Sequence, residues 1–161
     1  MIKNVLKGVA VVLAVSEIIT LWFVLTLAEP YGRLPGGRLS GEEVTGLVTD
    51  WRSTLKRPPL TLEVRTSDPY SVHASFTIYE GTLYVSAIIG GDSRWARFLV
   101  EDPNLRIRPV QGNKIYKVRA TKVEDQALLD EIHEARAQRP GAPTRTPEEL
   151  ARMWFFRIDS R

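Results

Sequence analysis

Four cations on two neighbouring predicted strands form the one group of charged side chains whose spacing suggests chemistry. Arg106 and Arg108 alternate with apolar residues in LRIRPV, and Lys117 and Arg119 do the same in IYKVRATKV. Side chains two positions apart in a strand share a face, so the four should lie together on one hairpin. Such a face attracts phosphates or lipid headgroups, but an ordinary solvated strand face has the same pattern. The sequence leaves both interpretations open.

Signatures of hydrolases, nucleotide-binding proteins and metalloproteins are absent from the sequence. There is no Gly-x-Gly-x-x-Gly, no phosphate loop with Lys-Ser/Thr, no Gly-x-Ser-x-Gly and no His-Glu-x-x-His. Glu101 and Asp102 stand at a predicted helix end, where exposure explains them better than acid–base catalysis. Cysteine is absent and the two histidines, His73 and His133, fall in different predicted elements. We therefore expect no metal site.

A carboxylate stands in the middle of an apolar run near the N-terminus. Twelve Val, Leu, Ile and Phe residues lie in GVAVVLAVSEIITLWFVLTLA, residues 8–28, with Glu17 at the centre. They favour membrane insertion by roughly 4 to 7 kcal/mol, and one central acid costs about 3 kcal/mol. We therefore predict an uncleaved single transmembrane helix over residues 1–28. A cleaved signal peptide is the alternative.

The predicted anchor has one helix face suited to packing against another helix. This face carries small residues at a spacing of four together with the acid, and it consists of Ala10, Ala14, Glu17 and Leu21 with Thr20 beside it. Small residues four positions apart let a second helix approach closely, and an intramembrane acid needs a partner. We therefore expect contact with transmembrane helices of a larger complex in the lipid bilayer. A protonated or snorkelled Glu17 without a partner is the alternative.

Charge and flanking residues give weak signals about location and partners. The 161 residues include 22 basic and 19 acidic ones, a net charge of +3, which suits anionic headgroups or an anionic cofactor but does not indicate nucleic-acid binding. Two lysines and the free amino group precede the predicted span and two arginines follow it, so the sequence leans slightly towards a soluble domain outside a cytoplasmic membrane. The side of the membrane is not decided by these residues.

The remaining residues, 40–161, are predicted to form one domain behind a linker over residues 29–39. Ser40 and Glu43 have capping-box spacing, and apolar residues continue at helical intervals through Trp51 and Leu55, which predicts a helix there. After it, the period changes to two. Strands are predicted at 60–65, 73–80, 82–89, 105–110, 115–123 and 154–158, and helices after Asp92 or Ser93, at 124–139 and from Thr146.

Six short strands in hairpins with inserted helices predict an α+β fold, an antiparallel split barrel or roll with flanking helices. The segment GTLYVSAIIGGDSRWARFLVEDPNLRIRPVQGNKIYKVRATKV, residues 81–123, resembles the deazaflavin-dependent nitroreductase family and its relatives, the FMN-binding split barrels. The shared features are a hairpin ending in small residues, a Gly-Gly loop, a helix with Trp, an Asp-Pro turn and a basic strand. The resemblance implies a barrel of about six strands.

The resemblance also implies a cofactor site, with departures from the family pattern. Thr66 and Ser67 of the family's phosphate-binding turn, and Arg94 and Trp95 of its tryptophan helix, are carried over, and Arg65 is a candidate substitute for the turn's arginine. The glycines and the arginine of the family's turn are missing, and Asp68 and Pro69 stand there instead. A carboxylate repels phosphate, and proline removes an amide donor. The family usually has an asparagine three residues after the tryptophan, and here that position is Phe98.

Two functions follow from these observations. The first is a membrane-anchored accessory or docking subunit of a membrane complex, without redox chemistry and without a cofactor. The alternative is a membrane-bound oxidoreductase of the nitroreductase or quinone reductase type that uses FMN or F420. A lipid or haem-related carrier is a third, weaker interpretation. The sequence does not decide whether the protein is an enzyme.

Overall fold

The computed structural model describes residues 2–27 and 29–161, and within the first helix it describes the side chains of residues 8 and 11–22. The helices are α1 (Ile2–Leu27), α2 (Arg94–Glu101), α3 (Gln126–Ala137) and α4 (Pro147–Arg152), with a short 3₁₀ turn at Gly90–Asp92. The strands are β1 (Glu42–Val44), β2 (Leu60–Val64), β3 (Tyr70–Tyr79), β4 (Thr82–Ala87), β5 (Asn104–Pro109), β6 (Lys114–Lys122) and β7 (Trp154–Ser160).

Six of these strands close into an antiparallel barrel. Their order is β6-β5-β2-β3-β4-β7, and β7 pairs again with β6 to complete the ring. The short β1 adds to β6 in parallel outside the ring. Closure leaves the barrel strands without free edges, and the helices flank it. The predicted α+β class and six-stranded split barrel are confirmed.

The tightest turn of the barrel joins β3 to β4 at the position that the sequence indicated. Glu80 and Gly81 both have positive φ, 50° and 81°, as a two-residue hairpin of the favoured twist requires. The strands then pair in register from Tyr79 with Thr82 to Ser75 with Ser86.

The core fills the barrel and extends beneath α3. The main cluster is built from the inward residues of the strands and the inner face of α2; it includes Leu60, Leu62, Val64, Leu83, Val85, Leu105, Ile107, Val118, Phe156 and Ile158. A second cluster around Phe155 and Ile132 binds α3 to the outside of the barrel. Period-two alternation therefore predicted the inward faces correctly.

The helix predicted from Ser40 onwards is wrong. Glu42–Val44 is a strand that pairs with β6, and the following residues form turns. Trp51 and Leu55 are nevertheless buried, at 2% and 3% exposure, whereas Leu47 of the same predicted stripe is 70% exposed. The apolar spacing therefore identified the buried residues Trp51 and Leu55 correctly, but the segment forms a strand and turns because its backbone pairs with β6.

The segment predicted as a linker, residues 29–39, packs on the barrel. Gly36 exchanges two backbone hydrogen bonds of 2.8 Å with Ser71, at the start of β3. Leu39 is 2% exposed, and its N–H donates to the Glu63 carboxylate at 2.6 Å. Residues 29–40, called the strap below, therefore do not hold the domain away from α1.

Among the residues that the structure describes, no helix has both the length and the apolarity that crossing a membrane requires. The prediction that residues 1–28 span a membrane is therefore not supported by the structure. Residues 1 and 28, and the side chain of Ala10 on the predicted packing face, lie outside the described part.

Candidate functional site: an arginine–aromatic cluster

The β2–β3 turn and the start of α2 meet on one side of the barrel. Arg65 begins the turn with φ of 56°, and its carbonyl accepts the Asp68 N–H at 2.9 Å. α2 begins at Arg94, after Ser93 as its N-cap, and packs against β2 and β3. The amphipathic pattern of α2 fixes this placement, because Ala96 and Leu99 are buried in the core.

Two arginines stack on two aromatic rings where these elements meet. The Arg94 guanidinium carbon lies 5.1 Å from the centre of the Tyr70 ring and 5.5 Å from that of Phe98. Arg65 lies 4.7 Å from the centre of the Phe98 ring, and the two rings contact edge to face at 5.6 Å. Arg65, Tyr70, Arg94 and Phe98 are called the arginine–aromatic cluster below.

The arginines near this turn differ in how many of their N–H groups donate hydrogen bonds within the protein. Arg65 pairs with the Asp68 carboxylate, and Arg38 donates to the Thr66 carbonyl at 3.1 Å. Within the described part of the chain, the Arg94 guanidinium makes no hydrogen bond or ion pair, and the residue is exposed. Cation–π stacking uses the face of a guanidinium and leaves its edges free to donate.

The structure brings together four of the five residues predicted to bind a cofactor. Arg65, Thr66 and Arg94 lie at the turn and the cluster, and Ser67 is exposed in the same turn. Trp95 instead faces the core, with its ring 5.9 Å from that of Phe156. Whether any of the five binds a cofactor stays a prediction.

The sequence analysis missed three members of this site: Arg38, Tyr70 and Phe98. Arg94 and Phe98 stand four positions apart on a helix, a spacing at which side chains contact each other, so that pair was detectable. Tyr70 opens β3 and Arg38 belongs to the strap, and no local pattern connects either residue with α2.

The residues present fit a phosphate group. Three arginines lie at or beside the turn: Arg65 pairs with Asp68, Arg38 donates to the Thr66 carbonyl, and Arg94 stacks on Tyr70. The Asp68 side chain is 73% exposed, so its ion pair is a weak, solvent-screened one that an incoming dianion can replace. Four cavities, of about 580, 430, 410 and 320 Å³, lie elsewhere on the domain.

The basic hairpin face predicted from Arg106, Arg108, Lys117 and Arg119 is largely neutralised. Arg106 donates to the fully buried Glu63 at 2.9 Å and lies 3.2 Å from Glu43, which also pairs with Lys117 at 2.7 Å. These contacts satisfy the cations with the protein's own carboxylates. Arg119 remains exposed. Of the two interpretations, a free phosphate-attracting face loses its support.

Arg108 binds the first residue of the strap. Its two terminal nitrogens donate to the Glu29 carboxylate at 2.6 and 2.5 Å, and one of them also donates to the Ser40 carbonyl at 2.7 Å. The hydrogen bond from Arg108 lowers the pKa of Glu29 from its ordinary value of 4.5 to about 2, against the opposing effect of desolvation. This bidentate pair fixes the strap next to the end of α1.

The two histidines have structural surroundings. His73 lies 3.2 Å from the Thr61 hydroxyl on the neighbouring strand. His133 is half-buried, with its ring edge-on to Phe155 at 5.0 Å, and burial lowers its pKa. The described residues contain no group of three or more potential metal ligands. The expected absence of a metal stays a prediction.

Comparisons with known proteins found likeness in structure alone. No family model and no curated sequence matches the chain. A proposed 5-nitroimidazole antibiotic resistance protein from Bacteroides thetaiotaomicron matches at a TM-score of 0.53 and 13% identity, over 71% of this chain and 82% of that protein. Campylobacter jejuni ChuZ matches at 0.53 and 13%, over 65% of this chain and 48% of that one.

An F420 reductase matches at a TM-score of 0.44 and 17% identity, over 68% of this chain and 92% of that one, which is too distant to carry an argument. At identities this low the comparisons show a shared fold and leave the activity open. The chain therefore has the split-barrel fold that its sequence predicts.

Proposed function

We propose that the protein binds the phosphate-bearing end of a flavin or deazaflavin cofactor, FMN or F420, at the arginine–aromatic cluster. The observation that carries the proposal is the Arg94 guanidinium, which stacks on Tyr70 and Phe98 while its edges have no partner within the described residues. The resemblance of residues 81–123 to deazaflavin-dependent nitroreductases supports the same assignment.

The cluster suits a phosphate for three reasons. Its rings hold the two guanidinium groups in place, so binding costs little side-chain entropy. Arginine presents several coplanar donors and binds phosphate in a bidentate manner. The Thr66 and Ser67 hydroxyls stand in the same turn and add neutral donors. Asp68 opposes binding, and this predicts an affinity lower than that of a turn without a carboxylate.

A bound flavin or deazaflavin supplies hydride chemistry, and the protein supplies binding and orientation. In this proposal Arg65 and Arg94 hold the phosphate, Arg38 steadies the turn through the Thr66 carbonyl, and α2 excludes water from one side. Small nitro compounds or quinones are the proposed substrates.

Cofactor binding is tested by titrating the purified full-length protein with FMN and F420 and following absorbance and cofactor fluorescence. Arg94→Gln should weaken binding about tenfold or more, since a charge-assisted bidentate contact contributes roughly 1.5 to 3 kcal/mol. Arg97→Gln removes an exposed cation from the same helix and should leave binding unchanged. Asp68→Asn should strengthen it. No saturable binding by either cofactor, or equal loss in both arginine variants, would refute the proposal.

The second candidate is an accessory or docking subunit without redox chemistry. The pairing of Arg65 with Asp68 and the presence of Pro69 in the turn favour it, because both reduce the turn's capacity for phosphate. Copurification with a defined membrane complex, together with no chromophore and no cofactor binding, would favour this function over the first.

We also propose that α1 attaches the protein to a lipid bilayer beside helices of a larger membrane complex. The support is that its apolar side chains between Val11 and Trp22 are exposed around the helix. Helices that are apolar on all sides are normally covered by lipid or by other helices. On the proposed packing face, Ala14, Glu17 and Leu21 are exposed, while the Thr20 hydroxyl donates to the Ser16 carbonyl at 2.8 Å.

Glu17→Leu tests the proposed helix contact. If Glu17 bonds to a polar or cationic group of a neighbouring helix, its loss should dissociate the complex while the protein stays in the membrane fraction. Ser16→Leu, an equally apolar change at the adjacent position, should leave assembly intact. Native gel migration and carbonate extraction of membranes measure both properties. Unchanged assembly in Glu17→Leu would show that the acid has no such partner.

A further inference from the structure

We propose that a cavity at the opposite end of β2 from the cluster binds a small molecule with an apolar body and one carboxylate group. The cavity has a volume of about 580 Å³ and lies between residues 54–59 and the β5–β6 turn. This volume is within the range of pockets that bind drug-sized ligands. The site is separate from the arginine–aromatic cluster, and the inference does not depend on the proposed cofactor.

Three prolines, a valine and a tyrosine form the apolar part of the cavity wall. Pro58 and Pro59 line one side and Pro109 and Val110 the other, and Tyr116 also lines the cavity. Tyr116 is 7% exposed. Its ring contacts the buried Trp51 ring edge to face at 5.5 Å, which holds this wall in place. Proline and tyrosine surfaces pack well against flat or branched apolar groups.

Backbone hydrogen bonds keep both sides of the cavity in place. The Gly112 N–H donates to the Pro109 carbonyl at 3.0 Å, and the Glu42 N–H to the Asn113 carbonyl at 2.8 Å, so β1 holds the β5–β6 turn. On the other side the Leu55 N–H donates to the Trp51 carbonyl at 2.9 Å. A ligand therefore meets a preformed site and does not have to order it.

The charges around the cavity favour an anion. Lys56, Arg57 and Lys114 line it, and Glu42 is the single acid among the lining residues. Lys56 donates to the Arg52 carbonyl at 3.2 Å and keeps further donors. Within the described residues, Arg57 and Lys114 make no ion pair. The local excess is two positive charges beside an apolar surface.

This combination selects a ligand by two properties together. The prolines and Tyr116 favour burial of a ring or a branched chain, and the cations attract a single carboxylate at its end. A neutral analogue loses the charge interaction, and an amine is repelled. Apolar carboxylates of one or two rings, or of comparable branched size, meet both requirements.

Calorimetric titration of the full-length protein with 1-naphthaleneacetate tests the proposal. We expect saturable binding of one equivalent. The amide 1-naphthaleneacetamide should bind at least tenfold more weakly, and 2-(1-naphthyl)ethylamine should not compete. Equal binding of the acid and its amide, or no saturable binding of the acid, would overturn the proposal.

Two pairs of variants locate the site. The double substitution Arg57→Gln with Lys114→Gln should weaken binding of the acid at least tenfold, whereas Arg97→Gln on α2 should not. Val110→Trp should fill the cavity and abolish binding, whereas Ile89→Trp, at an exposed position outside the cavity, should not. All variants keep α1, so non-specific binding there cancels. Circular dichroism identifies variants that fail to fold. If the folded double variant and folded Val110→Trp both bind the acid as the wild type does, the ligand binds elsewhere and the proposed site is refuted.

Discussion

At the scale of single residues, Glu63 decides how the outer face of β2 is covered. It is fully buried, accepts from Arg106 at 2.9 Å and receives the Leu39 N–H at 2.6 Å. Thr61 and Glu63 alternate with the apolar residues of β2, a pattern typical of a strand with one solvated face, yet both are buried. The partners of Glu63 are Leu39, 24 positions earlier in the strap, and Arg106 on β5, so no local pattern reveals its burial.

Glu63→Gln is therefore expected to destabilise the protein by about 2 kcal/mol, because the largely buried Arg106 loses a hydrogen bond to a charged acceptor. Arg106 has 11% of its side chain exposed and keeps its second ion pair, with Glu43 at 3.2 Å. Urea unfolding followed by tryptophan fluorescence measures the loss. Glu101→Gln, an exposed acid at the end of α2, is the matched control and should change the free energy of unfolding little. Equal stability of both variants would contradict this account.

At the scale of elements, local sequence patterns predicted the structure correctly where an element forms the hydrogen bonds of its own backbone groups. Thr146 and Glu149 have capping-box spacing, with Pro147 at the first helical position, and the helix predicted from Thr146 begins there: the Thr146 hydroxyl accepts the Glu149 N–H at 3.3 Å. The helix predicted from Ser40 failed, although its first residues have the same capping spacing. There the backbone of Glu42–Val44 pairs with β6, and tertiary pairing overrides a local preference.

Thr146→Ala should remove the N-cap of α4 and cost about 1 kcal/mol. The helix has only six residues, and none of them is buried, so little packing compensates for the lost cap. Thr144→Ala, two positions earlier and exposed, makes no such bond and should be neutral. Hydrogen exchange of the α4 amides reports the local effect and thermal unfolding the global one. Faster exchange in both variants alike would show that the cap is unimportant.

At the scale of the whole molecule, the barrel was predictable and its N-terminal covering was not. Hairpin turns, alternating strands and the resemblance of residues 81–123 together predicted six strands in the correct places. The strap is rich in glycine and proline, a composition typical of linkers, and its packing depends on partners in β3 and β5. The same separation in sequence concealed Arg38 and Tyr70 at the candidate site.

The ion pair between Glu29 and Arg108 also predicts how the attachment of the strap to the barrel depends on pH. The pKa of Glu29 is lowered from 4.5 to about 2 in the folded protein by its hydrogen bond from Arg108. A lowered pKa adds stability that is fully present above pH 4.5 and is lost as the pH falls towards 2. Because the Glu29 side chain is 41% exposed, solvent screening limits this contribution to about 1 kcal/mol.

Glu29→Gln should therefore be about 1 kcal/mol less stable than the wild type at pH 7, and the difference should shrink to near zero between pH 4.5 and pH 2. Urea unfolding across this range measures it. Glu101→Gln provides the comparison for removal of an acid outside the strap. A constant difference at all pH values would mean that Glu29 acts through packing and not through its charge. Loss of the difference in the expected window would show that one ion pair fastens the chain leaving α1 to the barrel.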